Sequence, residues 1–399
     1  MKSEWRNFLL EDVCEKIYSG GTPSTKHPEY WGGNLKWLSS GETSQRFIYD
    51  TERKITQLGA DNSSTKLATK GCTVIATVGQ GYTRGQASFL MTDTYMNQSV
   101  IACKPNVNII EPLFLYYNLD NRYEEFRLLS DGTSTRGGLS GWILKRMEII
   151  IPPLQEQRKI AGILKSLDDK IELNNAINKN LEQQAQAIFT WYMENFPYTL
   201  SPLGDMAEII DCLHTKKPDA VENSKFQLLQ LNNITDSGFL DLSYKYYISK
   251  SDYENWTRKC EIVAGDCVIT NVGRIGAVSQ APIGTHAAMG RNMTCIRLKK
   301  DKPFYSYLIT ALLSNHIRKE IMKNTDEGTI MGALNVKNIP LLLFPMFESS
   351  TMIRLEDILS PIRKAIERNY LSNQTLALLR DTLLPKLMSG EIDVTGIDL

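Results

Sequence analysis

The clearest hydrophobic pattern in the chain is a heptad seam that occurs twice. Apolar residues fall at Ile160, Leu164, Leu167 and Ile171, then at Leu181, Ala185, Ile188 and Tyr192, in steps of alternately four and three. The slots between the two runs hold Asn174 and Asn178. At an offset of 195 residues the seam returns as Leu355, Leu359, Ile362 and Ile366, then Asn369 and Asn373, then Leu376, Arg380 and Leu383. Four-three spacing marks helices that meet along a narrow seam. One such helix is ordinarily an amphipathic helix lying on its own domain. Two of them, with polar slots in register, predict an intramolecular coiled coil. A globular stretch separates the helices, and quasi-twofold symmetry points them oppositely, so the coil is expected to be antiparallel. Core asparagine weakens packing but fixes register, which makes Asn174, Asn178, Asn369 and Asn373 register residues. About 35 residues at 1.5 Å per residue give a spacer roughly 50 Å long. Pro385 is expected to end or kink the second helix.

The duplication extends beyond the helices. Leu10-Glu11-Asp12-Val13 is answered by Leu203-Gly204-Asp205-Met206, and Gly71-Cys72-Thr73-Val74-Ile75-Ala76-Thr77-Val78-Gly79 by Gly265-Asp266-Cys267-Val268-Ile269-Thr270-Asn271-Val272-Gly273. Asn97 to Ile101 matches Asn292 to Ile296, Gly132-Thr133 matches Gly328-Thr329, and Ile149 to Pro153 matches Leu341 to Pro345. The order is the same throughout, and the period is far too long for a solenoid. The β-branched runs closed by glycine predict strands. A helix is expected at Pro112 to Leu129 and again at Pro303 to Lys323, each opened by proline. The predicted fold is α+β: two β-rich domains in pseudo-twofold repeat, separated by a pair of long antiparallel helices. The expected divisions are 1–152 and 198–345 for the β-rich domains, 153–197 for the first spacer helix, and 346–399 for the second with its tail.

At 399 residues the chain is long enough for two or three domains with substantial cores. Lys and Arg number 45, as do Asp and Glu, so the formal net charge is zero. Zero charge argues at first against a nucleic-acid partner. Local windows soften that: residues 66–104 hold four basic against one acidic, and 245–302 hold ten against five. The mixed-charge start has no signal-peptide pattern, and no run approaches a membrane span, so a cytoplasmic protein is expected. Seven cysteines, an odd count without C-x-x-C spacing, argue for buried free thiols rather than disulfides or zinc.

Catalytic motifs are hard to find. No G-x-G-x-x-G follows a strand and no P-loop is present. Ile151-Pro152-Pro153-Leu154 has two prolines but not the flanks of an amino-methyltransferase site. Pro218-Asp219, Glu222 and Lys225 lack the compact triplet of a nuclease. His27, His214, His286 and His316 show no metal or triad spacing. No catalytic residue and no metal site is expected.

The chain resembles the specificity subunits of Type I restriction-modification systems. The resemblance rests on Ile151-Pro152-Pro153-Leu154-Gln155-Glu156-Gln157 running into Ile160-Ala161-Gly162-Ile163-Leu164 and Leu167-Asp168-Asp169-Lys170-Ile171-Glu172. It rests also on Gly20-Gly21-Thr22-Pro23 with Tyr30-Trp31 and Trp37-Leu38, and on the closing Leu383-Leu384-Pro385-Lys386-Leu387-Met388-Ser389-Gly390-Glu391-Ile392. It implies a non-catalytic reader of a bipartite, asymmetric site in double-stranded DNA, with two target-recognition domains. It implies docking of two methyltransferase subunits, and of two restriction/translocase subunits in systems that carry them. It implies no cofactor here, S-adenosylmethionine belonging to the methyltransferase. Twofold-related readers on one spacer would face half-sites about one helical turn apart, roughly 34 Å. The second half departs from the pattern at Phe344-Pro345-Met346-Phe347-Glu348-Ser349, so docking there is expected to differ in detail. The alternative is a coiled-coil adaptor with two β-rich domains that bind protein or peptide.

Base readout calls for Arg, Gln, Asn, Ser or Thr on loops that reach a groove. The loop after the first glycine-closed strand offers Gln80, Tyr82 and Arg84, and its counterpart offers Asn271 and Arg274. Asn97 and Gln98 in one half, and Arg291 and Asn292 in the other, are further candidates. Ser134 and Arg136 sit in a polar loop answered by Thr329. Lys216 and Lys217 suit phosphate. An ordinary solvated turn explains the loop residues equally well, and solvated surface lysines are commoner than phosphate contacts. Tyr30, Trp31 and Trp37 read as packing aromatics rather than base stackers.

Overall fold

The computed structural model describes residues 5–79, 81–131, 138–236, 238–326 and 332–397. The chain forms two compact units, Met1–Lys170 with Leu376–Leu399, and Ile171–Thr375.

The first unit is built on a five-stranded sheet in the order Cys14–Ser19, Val100–Pro105, Thr73–Ala76, Ala87–Leu90, Phe47–Ile48. The second unit has a four-stranded sheet in the order Ala207–Asp211, Met293–Leu298, Cys267–Thr270, Val278–Gln280. The first four strands of one match the four of the other in order, and all these pairings are antiparallel. A short flanking ribbon recurs too: Arg6–Leu9 pairs with Glu148–Ile151, and Tyr198–Pro202 with Leu343–Phe347. The duplication seen in the sequence is therefore a duplication of topology.

The ladders correct one alignment. Val100 lies opposite Ala76, and Met293 opposite Thr270. The N–H of Thr77 donates to the Ser99 carbonyl at 2.8 Å, and that of Asn271 to the Asn292 carbonyl at 2.9 Å. Asn292 is thus the counterpart of Ser99, not of Asn97. A two-residue slip preserves the in-out alternation of a strand, so hydrophobic pattern alone does not detect it.

Each expected helix after the sheet is two helices. Pro112–Asp120 is followed by Tyr123–Asp131, and Tyr305–Leu312 by Asn315–Lys323. In the second unit the break is made by Ser314, whose hydroxyl accepts from the Ile317 N–H and so starts a new helix. Tyr116, Tyr117, Phe114 and Leu115 on the first of these helices are fully buried, as are Tyr307 and Leu308 in the second unit.

The two long helices run Leu154–Asn195 and Ser349–Met388. In the first unit Ile160 and Leu164 share a core with Leu384, Leu387 and Met388. In the second unit Ala185, Phe189 and Tyr192 share a core with Met352, Leu355 and Leu359. The start of one helix thus meets the end of the other, which is the antiparallel coil expected. The four seam asparagines pair across the coil. Asn174 donates to the Asn373 carbonyl oxygen at 2.7 Å, and Asn369 to that of Asn178 at 2.8 Å. Asn178 also donates to the Ile366 carbonyl, and Asn373 to Asn175.

Pro385 does not stop the second helix, which continues to Met388. The stop is Gly390 at φ 70°, with the Glu391 N–H returning to the Lys386 carbonyl at 2.9 Å. A proline three residues from a helix end removes only one hydrogen bond, whereas a positive φ at glycine ends the helix outright.

The Pro-Pro-Leu-Gln-Glu-Gln stretch is a structural lock. Gln157 is buried and donates to the carbonyls of Pro152 and Ile109, while its oxygen accepts from the Glu111 N–H at the start of Pro112–Asp120. The second unit lacks that glutamine and achieves the same with Glu356, whose carboxylate accepts from the Ser306 and Tyr307 N–H groups at 3.0 and 2.8 Å. An acid at a helix N-terminus satisfies donors that no helical carbonyl reaches.

Candidate nucleic-acid interface

In each unit a loop joins the central strand to its hairpin partner, and the structure anchors both loops in the same way. Gly85 (φ 89°) and Gly276 (φ 74°) sit against the second short helix. A side chain on Gly85 would come within 3.2 Å of Phe126 Cβ, and one on Gly276 within 2.7 Å of Ile321 Cγ2. Each loop also borders a hollow. In the first unit it measures about 330 Å³ and is lined by Thr43, Arg46, Tyr82, Gln86 and Tyr123. In the second it measures about 520 Å³ and is lined by Asp236, Arg274, Gly276, Arg318 and Met322.

The candidates divide by what their side chains do. Tyr82 is 79% exposed at the loop tip. Its carbonyl accepts from the Tyr123 hydroxyl at 3.0 Å, and Gly81's accepts from Arg127 at 2.8 Å. Arg84 is half-buried beside it. Asn97 accepts from the Ser99 N–H and so shapes its own turn, and the exposed Gln98 accepts from the Thr22 hydroxyl at 2.6 Å. In the second unit Arg274 is half exposed and donates to the Ile234 carbonyl at 3.0 Å and to Asp236. Arg291 and Asn292 are exposed, Asn292 at φ 64°. Lys216 and Lys217 are exposed, and the Lys217 ammonium lies 3.6 Å from the Tyr246 ring centre.

Asn271 is placed differently from the sequence expectation. It is buried, donates to the Leu334 carbonyl at 3.1 Å and accepts from the Thr294 hydroxyl at 3.0 Å. Its amide holds the loop base together and faces inward. Gln80, Ser134, Arg136 and Thr329 lie outside the described residues, as do Gly132-Thr133 and Gly328-Thr329. Trp37 is buried with Trp31 packed edge-on at 5.1 Å, and the Arg53 guanidinium lies 3.6 Å from the Trp31 ring centre. These aromatics pack internally, as read from the sequence.

Sequence reading missed Asp236, Tyr123 and Arg127, which hold the two loops across 38 to 46 residues of chain. No local pattern announces such contacts. The seven cysteines are all free and buried. Two trios bring metal-capable atoms within 4.8 Å of one another: Asp211, Cys212 and His214, and Cys260, Asp266 and Cys295. In the second trio Asp266 is engaged by Arg297 and by the Val263 N–H, an arrangement of ion pair and cap rather than of cation ligand. In the first, Asp211 and His214 are 2.8 Å apart and partly exposed, a common surface pair. No helix among the described residues is long and apolar enough to cross a membrane.

Comparison with known proteins places this architecture. Residues 2–183 match the family model for the Type I restriction modification DNA specificity domain. The chain is 24% identical to the Type I restriction enzyme MjaIX specificity subunit of Methanocaldococcus jannaschii, over 98% of this chain and 94% of that protein. It is 28% identical to the HindI specificity subunit of Haemophilus influenzae, over 49% of this chain and 42% of that one. Its fold is similar to that of a crystallised Type I restriction-modification S subunit from M. genitalium, with TM-score 0.57, 16% identity and 96% of each chain covered. Residues 2–183 thus carry the match to that domain, and the chain over nearly its whole length is similar to Type I specificity subunits, the family its sequence motifs resemble.

Proposed function

We propose that this chain is the non-catalytic sequence-reading subunit of a Type I restriction-modification complex, with each unit reading one half of a bipartite, asymmetric site in double-stranded DNA. The observation that carries the reading is the paired loop. Two equivalent loops are anchored on equivalent glycines, border hollows and carry different side chains: Tyr82 and Arg84 in one, and in the other Arg274, which pairs with Asp236 from a separate segment. Shared scaffold with divergent tips is what two half-sites of different sequence require. Arginine is the commonest reader of guanine, and a carboxylate that orients it sharpens the choice of base. Gln98, Arg291 and Asn292 are exposed just ahead of Val100–Pro105 and Met293–Leu298, the strands that pair with the central ones, and Lys216 and Lys217 offer phosphate contacts.

In this reading the long helices dock two methyltransferase subunits, and restriction/translocase subunits join through them. S-adenosylmethionine is bound by the methyltransferase, the chain itself needs no cofactor, and the assembly works in the cytoplasm. Methylome sequencing of a host with and without the gene tests the whole reading. A bipartite motif should disappear on deletion, and an unchanged pattern of methylation would sink it.

A further inference from the structure

The repeat offset pairs Asp168 with Arg363 and Ala185 with Arg380, since each pair differs by 195. In the first unit the corresponding slot of the coil is filled by the chain's own charges. Asp168 is almost wholly buried and lies 2.7 Å from Arg380, 3.4 Å from Arg46, and 2.7 Å from the Tyr117 hydroxyl that donates to it. Arg46 is also 3.0 Å from Asp120. Two arginines and two carboxylates thus balance one another in one place.

The second unit presents the same slot with different residues. The acid has become Arg363, and the arginine opposite has become Ala185. Arg363 is 8% exposed. Its Nε donates to Gln280 at 3.0 Å, its Nη2 to the Gly238 carbonyl, and its plane stacks on Phe239 at 3.6 Å. All three partners are neutral. Among the described residues no carboxylate lies within ion-pair distance of it, and Nη1 makes no hydrogen bond. Where Arg380 fills the first unit, a cavity of about 420 Å³ opens here. It is lined by Arg363, Ala185, Lys179, Glu182 and Asp236, the last ion-paired with Arg274, with Ile309, Leu359 and Ile362 among its apolar walls.

A buried cation with no carboxylate in direct contact, attracted only by the more distant Glu182 and Glu367, is a costly arrangement unless something completes it. We infer that this cavity is a binding site for a small organic carboxylate, whose head group pairs with the free edge of Arg363 and with Lys179 and whose apolar body lies on Ile309, Leu359 and Ile362. Planar guanidinium matches a carboxylate through parallel hydrogen bonds, and the mixed lining suits one polar head on an apolar body. The contrast in proton affinity supports the geometry. Burial depresses the Arg363 guanidinium to about 10, whereas Tyr116 with Asp120 and Asp168 around Arg46, and Asp168 with Asp381 around Arg380, hold those two above the usual arginine value despite burial. Glu182, one of two acids on the cavity wall, is pushed up to about 7 by burial, so near neutrality its repulsion of an anion is reduced.

The test is isothermal titration of the full-length chain with sodium benzoate, and separately with sodium phosphate, at constant ionic strength. The expected result is saturable one-site binding of benzoate and none of phosphate. Arg363→Met should weaken benzoate at least about tenfold, the loss expected when one charged partner goes. Because that variant removes a clamp on Gly238 and risks misfolding, Ala185→Met is the decisive companion. It fills the cavity with an apolar side chain, leaves Arg363 in place, and should abolish binding while the circular dichroism spectrum stays unchanged. Benzoate binding that survives Ala185→Met, no saturable heat up to about 20 mM benzoate, or binding of phosphate in preference to benzoate would each overturn the assignment.

Discussion

Asp168 illustrates how one residue can hold two long helices and a sheet together. Its carboxylate faces Arg46, Arg380 and the Tyr117 hydroxyl inside the first unit. Asp168→Leu should destabilise that unit by about 3–5 kcal/mol, because two arginines would remain buried with one acid fewer. Urea unfolding of the full chain, followed by circular dichroism, measures it. Glu182 makes a prediction of opposite character. Its folded-state pKa of about 7 lies above the ordinary 4.5, so the folded protein holds a proton that the unfolded chain releases. Its contribution is fully present below about 4.5 and is lost as pH rises through 7. Glu182→Gln should therefore flatten the decline in stability between those values, read from unfolding midpoints across pH. Sequence gave notice of some of this. Arg380 stood out in an apolar heptad slot, and the Leu-Asp-Asp-Lys-Ile motif flagged Asp168. Their partnership, and the role of Arg46 more than 120 residues away, arise only from folding. Among candidate readers the residue types were visible, but exposure was not: Asn271 looked like Arg274's neighbour in function and is buried in a loop base.

At the level of elements, the paired heptad seams and their asparagine slots were the most legible feature, whereas the bonds those asparagines make with one another emerge only from the fold. Asn174→Leu alone should cost about 1 kcal/mol or more, leaving the Asn373 oxygen without its donor, while Asn174→Leu with Asn373→Leu should recover most of the loss. A double-mutant cycle in urea gives the coupling directly, and simple additivity would refute a pairwise ladder. The loop glycines make a second prediction. Gly276→Ala adds a Cβ at positive φ only 2.7 Å from Ile321. About 1–3 kcal/mol of local strain should follow, along with, on the proposed function, weaker discrimination at the half-site assigned to the second unit, scored by methylome sequencing. Less legible were the short helices, each pair of which the apolar pattern fused into one, and the strand register, where a slip by two residues leaves every face unchanged. Helix ends also misled: Pro385 was the obvious stop, yet Gly390 is the actual one.

For the molecule as a whole, the duplication predicts modular behaviour. Exchanging residues 198–345 for the matching region of another specificity subunit should change one half of the methylated motif and leave the other intact; a change in both halves would contradict independent readers. The balance of 45 basic and 45 acidic residues predicts that the isolated chain binds DNA with shallow salt dependence, its partners supplying much of the phosphate neutralisation. Fluorescence anisotropy over a salt series measures that slope. Architecture was readable from sequence at this scale because a repeat is a pattern of order, and order survives where individual contacts do not. The ladder also carries a meaning beyond register. Subtract the repeat offset from the second helix and the rung Asn174–Asn373 becomes Asn174–Asn178, while Asn178–Asn369 becomes the same rung reversed. A single half of this chain therefore already contains both members of each rung, and two identical halves would present self-complementary, isologous seams. The present molecule has the bonding pattern of a homodimer written as one polypeptide, and covalent linkage is what frees its two halves to diverge.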